Sequence, residues 1–185
     1  FTGEVSVLGE SGEVEVVELH QPTIARVSPT EITAYKKELA AFGEVLTAMN
    51  SKLGDAKSQV TEATNLVRGN AKAPLSLLAE LRALELKLTA ASEQLSGAPT
   101  PNKFKSSGNP SIQSRFGNAR GGTFSAHGPT KTNRQQFAIA KEEFAEIEGG
   151  IRALLDQEVP AMMKKLDAAG IPWSKGRALP ATNGR

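Results

Sequence analysis

Residues 28–69 read SPTEITAYKKELAAFGEVLTAMNSKLGDAKSQVTEATNLVRG, and this stretch decides the fold. Apolar or small side chains recur at Ile32, Tyr35, Leu39, Phe42, Leu46, Met49, Leu53, Ala56, Val60, Ala63 and Val67. The spacing alternates three and four throughout, which places all of them on one stripe of a single long helix. Ser28, Pro29 and Glu31 form its start signal. Ser28 is a cap whose hydroxyl takes an amide of the first turn, Pro29 supplies a preset φ, and Glu31 reaches back to close a capping box. Gly69 marks the other end. About 40 residues at 1.5 Å each make a rod of about 60 Å. A stripe that long must lie against other helices. Gly43 and Gly54 interrupt it and have two readings, a local weakening or the close approach of a partner helix.

Two further helices answer the demand. One opens at Pro74 and closes at Gly97, with a seam of Leu77, Leu81, Leu84, Leu88, Ala91 and Leu95. The short connection after Gly69 makes it double back, antiparallel, over the C-terminal half of the first. The other starts near Pro129-Thr130 and runs to about Ala169. Its seam passes through Phe137, Ala140, Phe144, Ile147, Ile151 and Leu154, then slips by one residue to Leu155, Val159, Met162, Leu166 and Ala169. Pro160 lies at the slip and predicts a kink or break there. The fold class is therefore mainly α: an antiparallel up-down-up bundle of two long helices and one shorter helix, with a long ordered loop, preceded by a short β segment. That segment, residues 1–27, alternates valines with polar residues on both sides of Gly9-Glu10-Ser11-Gly12 and reads as a hairpin. Two strands do not make a stable sheet alone, so it is expected to end a β domain lying upstream or to pack on the helices. The bundle spans 28–173, and 174–185 are expected to form a flexible tail.

Residues 97–130 are rich in Gly, Pro, Ser, Asn and Thr, and no acidic residue lies between Glu93 and Glu142. A short helix is expected from Pro110 to about Ala119, with Asn109 as its cap. Phe104, Ile112, Phe116 and Phe124 are expected to dock beside the N-terminal half of the first helix, where the second does not reach. The basic side chains over 103–134, Lys103, Lys105, Arg115, Arg120, Lys131 and Arg134, have two readings. They meet acidic helix flanks, or they hold an anionic partner such as a polysaccharide.

Chemistry-bearing constellations are sparse. The chain has 185 residues, a net charge of +2 and no cysteine, which excludes disulfides and thiolate chemistry. So small a charge implies no global field for nucleic acid or membrane. Nucleic acid is not expected as a partner, no apolar run is long enough to span a bilayer, and no metal or cofactor is expected. His20 and His127 stand apart, without carboxylates at ligand spacing. Glu142, Glu143, Glu146 and Glu148 lie along one helix, whereas glycoside hydrolysis needs two carboxyls facing each other across a cleft. Gly121-Gly122 lacks the Gly-Lys-Ser/Thr of a phosphate loop. Trp173 reads as a cover for the bundle end, with sugar stacking as the alternative. The opening Phe1-Thr2-Gly3 reads as part of a longer protein.

Several stretches carry a resemblance. They are Glu15-Val16-Val17 running toward Pro22, the long helix from Ser28, Leu78 to Glu85, Leu95-Ser96-Gly97, and Asn109-Pro110-Ser111-Ile112-Gln113-Ser114-Arg115-Phe116. Pro129-Thr130, Phe137 to Phe144, and Ala168 to Arg177 with its Gly-Ile-Pro-Trp-Ser-Lys-Gly-Arg run complete the set. In this order they resemble the C-terminal region of large bacterial proteins built on BNR-type (sortilin-like) β-propeller repeats, commonly labelled glycosyl hydrolases. The resemblance implies an exported parent, with upstream β-propeller domains of the same protein as partners and any glycosidase carboxyls in those domains. This chain would then be a non-catalytic helical module for domain positioning or protein association, self-association through its helix seam included.

Overall fold

The computed structural model describes the backbone of Gly3–Leu8 and Val14–Leu19, and residues 28–98, 109–124, 128–177 and 179 in full. Gly3–Leu8 (β1) and Val14–Leu19 (β2) pair antiparallel, Gly3 opposite Leu19 and Leu8 opposite Val14. The loop read between them, Phe104, both histidines and positions 180–185 lie outside the described residues.

The described fold is mainly helical. Helix α1 spans Pro29–Arg68. Its capping box is formed: the Glu31 amide donates to Ser28 Oγ at 3.2 Å and the Ser28 amide to Glu31 Oε2 at 3.0 Å. Helix α2 spans Leu75–Ser96. Gly97 follows at φ 89°, and a Cβ there would lie 3.3 Å from that of Ser111, so the exit from α2 requires glycine. Helix α3 spans Ile112–Gly121 and is capped by Ser111, not by the expected Asn109, because Ser111 Oγ accepts the Ser114 amide at 3.2 Å. A 3-10 turn, Gly122–Phe124, ends it. Helix α4, Lys131–Ala153, opens on a second capping box between Thr130 and Asn133.

Of the kink or break expected at Pro160, the break does not occur: a π turn just before it, Leu154–Glu158, leads into α5, Val159–Ala168, with the helical backbone continuous. The Val159 amide reaches back five residues to the Leu154 carbonyl. In a regular helix the Pro160 ring would press on the carbonyl four residues earlier, and the wider turn removes that conflict. It also explains the slipped seam, because the buried positions Leu154 and Val159 are five apart, one more than α-helical spacing allows.

Side-chain ladders set the packing directions. Tyr35 meets Phe137 edge to face, and Phe42 meets Phe144 in the same way seven residues further along both helices, so α1 and α4 run parallel. Glu80 pairs with Lys165 and Lys87 with Glu158, seven forward on α2 and seven back on the π turn and α5, so these run antiparallel. The arrangement is up-down-up. The main core runs from Leu46 to Ile171, and a smaller cluster of Tyr35, Leu39, Ala119 and Phe137 closes the N-terminal end of α1. Fully buried leucines such as Leu53, Leu81, Leu88 and Leu166 contribute about 1.5–3 kcal/mol each.

Residues 174–177, expected to belong to a flexible tail, pack on the bundle instead. Just before them, Gly170 adopts φ 69° and the Ile171 amide bonds the Leu166 carbonyl at 3.0 Å, a Schellman ending that turns the chain back. Ser174 and Arg177 are then buried. The Arg177 guanidinium pairs with Asp167 and donates to the carbonyls of Pro172 (2.6 Å) and Ile171 (3.2 Å). Five donors in a planar fork let one arginine hold all three groups. The Gly-Ile-Pro-Trp-Ser-Lys-Gly-Arg run is therefore a clasp on the bundle end.

Candidate functional surface

Helix α3 lies antiparallel along the N-terminal half of α1, where α2 does not reach. Three contacts fix it. Asn50 Nδ2 donates to Gln113 Oε1 at 2.9 Å, with Ser96 Oγ donating to both side chains, so α1, α2 and α3 meet there. Phe116 rests on Gly43, where a Cβ would come within 2.8 Å of its ring. Tyr35 Oη donates to the Ala119 carbonyl at 3.1 Å. Burial pushes the Tyr35 phenol above its ordinary value, and the neighbouring Arg134 partly offsets this.

Between the two helices runs an open groove of about 660 Å³. Its floor on α1 is made mostly of small residues, Ala40, Gly43, Thr47, Ala48 and Ser51, together with Leu39. Phe116, Arg120 and Thr123 form the α3 wall, with the charges of Lys36 and Glu44 at the rim. Phe124, next to Thr123, is 79 % exposed, against the expectation that it docks inward. Hydrophobicity alone does not tell a docked ring from a presented one. Ile112 and Phe116 do dock, one buried and the other packed against the core.

The six basic candidates separate. Arg115 is mostly covered, its Nε donating to Glu143 at 3.0 Å and its Nη1 to Gln136 at 2.9 Å. Arg134 stacks over the Tyr35 ring with its guanidinium carbon 5.9 Å from the centroid. Arg120 and Lys131 are exposed, Arg120 at the groove wall. Lys103 and Lys105 lie outside the described residues. Trp173 is about half exposed, its indole N–H donating to the Arg177 carbonyl at 3.2 Å, so it braces the clasp and covers the bundle end only in part. Ser28 and Glu31 form the cap already described. Hydrogen bonds from the backbone and then the hydroxyl of Ser28 hold the Glu31 carboxyl below its ordinary value.

Comparison with protein-family models, curated proteins and solved structures returned no match.

The acidic side chains are drawn into the same frame. Glu143 meets Arg115, Glu148 meets Arg152, and Glu38 meets Lys141, which also lies 4.7 Å from the Phe137 centroid. Among the described residues no three His, Cys, Asp or Glu gather as a metal would need, and no described helix is long and apolar enough to cross a membrane. A second hollow, of about 430 Å³, lies where the π turn and the clasp meet α1. Phe116 was expected to dock on the first helix, but its pairing with Gly43, and that of Arg177 with Asp167, were absent from the sequence reading. The isolated arginine after Gly176 was the signal for the second pair, since a buried Trp-adjacent turn needs a donor for its carbonyls.

Proposed function

We propose that this chain is a non-catalytic helical module, the C-terminal region of an exported sortilin-like propeller protein, and that it positions domains or joins protein partners. The observation that carries this reading is the open groove along α1 and α3, set in a bundle whose helices are held in heptad register by the aromatic and ionic ladders. A rigid rod with one small-residue groove suits docking of another protein surface better than turnover of a small molecule. The β1–β2 pair is then the last part of a preceding β domain. Two measurements test the reading together. Calorimetric titration of the parent's upstream domains into this chain is expected to give binding that Ala48→Arg weakens. The purified chain is expected to leave glycosides uncleaved. Cleavage abolished by Glu143→Gln or Glu146→Gln would overturn the proposal.

A second reading, binding of an acidic polysaccharide, draws on the exposure of Arg120 and Lys131. It expects salt-sensitive binding that falls with Arg120→Ala. Arg115→Ala would not discriminate, because that side chain is already engaged by Glu143 and Gln136.

A further inference from the structure

We infer that the groove between α1 and α3 is one half of a two-fold interface, and that its occupant is a second copy of this chain. The inference rests on the association reading above and names its partner. A two-fold interface must be self-complementary, so every knob and charge on the patch needs its hole and countercharge on that same patch. Three features of this surface fit that condition.

The first is charge. Lys36 and Glu44 are exposed on the groove rim, four residues before and four residues after Ala40. Among the described residues neither has an ion-pair partner in its own chain. When two α1 helices cross antiparallel about an axis through Ala40, Lys36 of each copy faces Glu44 of the other, twice over. The second is size. Ala40, Thr47, Ala48 and Ser51 carry little side-chain bulk, so the two backbones approach closely along the shared face. The third is shape. Because α3 is antiparallel to α1, with Gln113 beside Asn50 and Ala119 beside Tyr35, its last turn lies at the Lys36 end of the groove. There Phe124 presents an exposed ring. The same axis brings the partner's Thr47 to Ser51 floor to that end, so each Phe124 has a shallow apolar seat on the other copy. Buried aromatic anchors of this kind dominate interface energetics.

The test uses the full chain. Light scattering across a concentration series is expected to show a dimer. Phe124→Asp should raise its dissociation constant about tenfold or more. Lys36→Glu and Glu44→Lys, each alone, should raise it about three- to tenfold, and the two together should restore it. Rescue by the double reversal separates a cross-copy pair from loss of fold. The native chain has no cysteine, so Ala40→Cys places one thiol on the axis. It is expected to cross-link into dimers under mild oxidation much faster than Ser76→Cys, which is exposed on α2. A monomer at every concentration overturns the inference. So does a dimer indifferent to Phe124→Asp and to the charge reversals, or an Ala40→Cys variant no faster than the control. A monomer whose melting temperature falls with Ala48→Arg would assign the groove to another segment of the same chain, and this too overturns it. If the monomer still binds the upstream domains, only the two-fold inference fails and the module reading stands.

Discussion

Gly43 and Gly54 sit in the same helix and look alike in the sequence, yet their surroundings differ. A Cβ on Gly43 would lie 2.8 Å from Phe116 Cζ, whereas one on Gly54 would meet nothing within 4 Å. Gly54→Ala is therefore expected to stabilise the chain by about 1 kcal/mol through helix propensity alone. Gly43→Ala must displace a packed ring and should lose that gain or reverse it, which paired urea unfolding curves will resolve. The same contrast holds at the clasp. The Arg177 side chain is 1 % exposed and satisfies two carbonyls and Asp167, so Arg177→Met should cost about 2–3 kcal/mol. Arg177→Lys should recover little of this, because an ammonium cannot reproduce the fork. Ser174 Oγ, by contrast, is buried with no hydrogen-bond partner among the described residues. Removing an unsatisfied hydroxyl is close to neutral or favourable, and Ser174→Ala is expected to leave stability unchanged or slightly higher in the same assay.

At the scale of single elements, what was legible in the sequence was what local chemistry decides. Ser28 and Glu31 mark the start of α1 because capping hydrogen bonds form within one turn, and the structure places them there. The bond has a pH consequence. Glu31 titrates below its ordinary value in the folded chain, so its contribution is fully present above the unfolded value. It is lost as pH falls through the folded one. Thermal melts on the acid limb should thus fall less steeply for Glu31→Gln than for the native chain. The π turn was visible only as a slipped seam, and its type was not readable. One inserted residue can be taken up by a kink, a break or a wide turn, and packing chooses among them. Here α5 presents Val159, Met162, Met163 and Leu166 to the core while Lys165 reaches Glu80. Deleting Leu155 removes the extra residue and turns the following face by about 100°. The deletion should therefore cost several kcal/mol, about what two exposed core side chains would. If packing did not hold the turn, the unfolding midpoint would stay where it is.

The described helical residues form two clusters, and the joint between them is aromatic. Phe42 lies 5.8 Å from Phe116, 5.6 Å from Phe137 and 5.4 Å from Phe144, centroid to centroid, and packs against both clusters together with Phe116. In the sequence Phe42 was one seam position among eleven. Its weight comes from α3 crossing back over α1, a contact between residues far apart in the chain that helical periodicity does not carry. Up-down-up order was readable because the α1–α2 connection is short. The exposure of Phe124 was not, since that depends on which side of α3 the chain leaves. The joint makes a prediction about cooperativity. Phe42 is only partly buried, so Phe42→Ala should cost less than the about 3–5 kcal/mol of a fully buried phenylalanine, and the loss should fall unequally. The small cluster of Tyr35, Leu39, Ala119 and Phe137 retains few apolar neighbours once the ring is gone, whereas the main core from Leu46 onward keeps α2 and α5. Amide hydrogen exchange should then show Tyr35 to Leu39 and α3 opening well before Leu53 to Val67, whereas the native chain is expected to open both together. Uniform acceleration along α1 would mean that the two clusters unfold as one regardless of Phe42, and the joint would lie elsewhere.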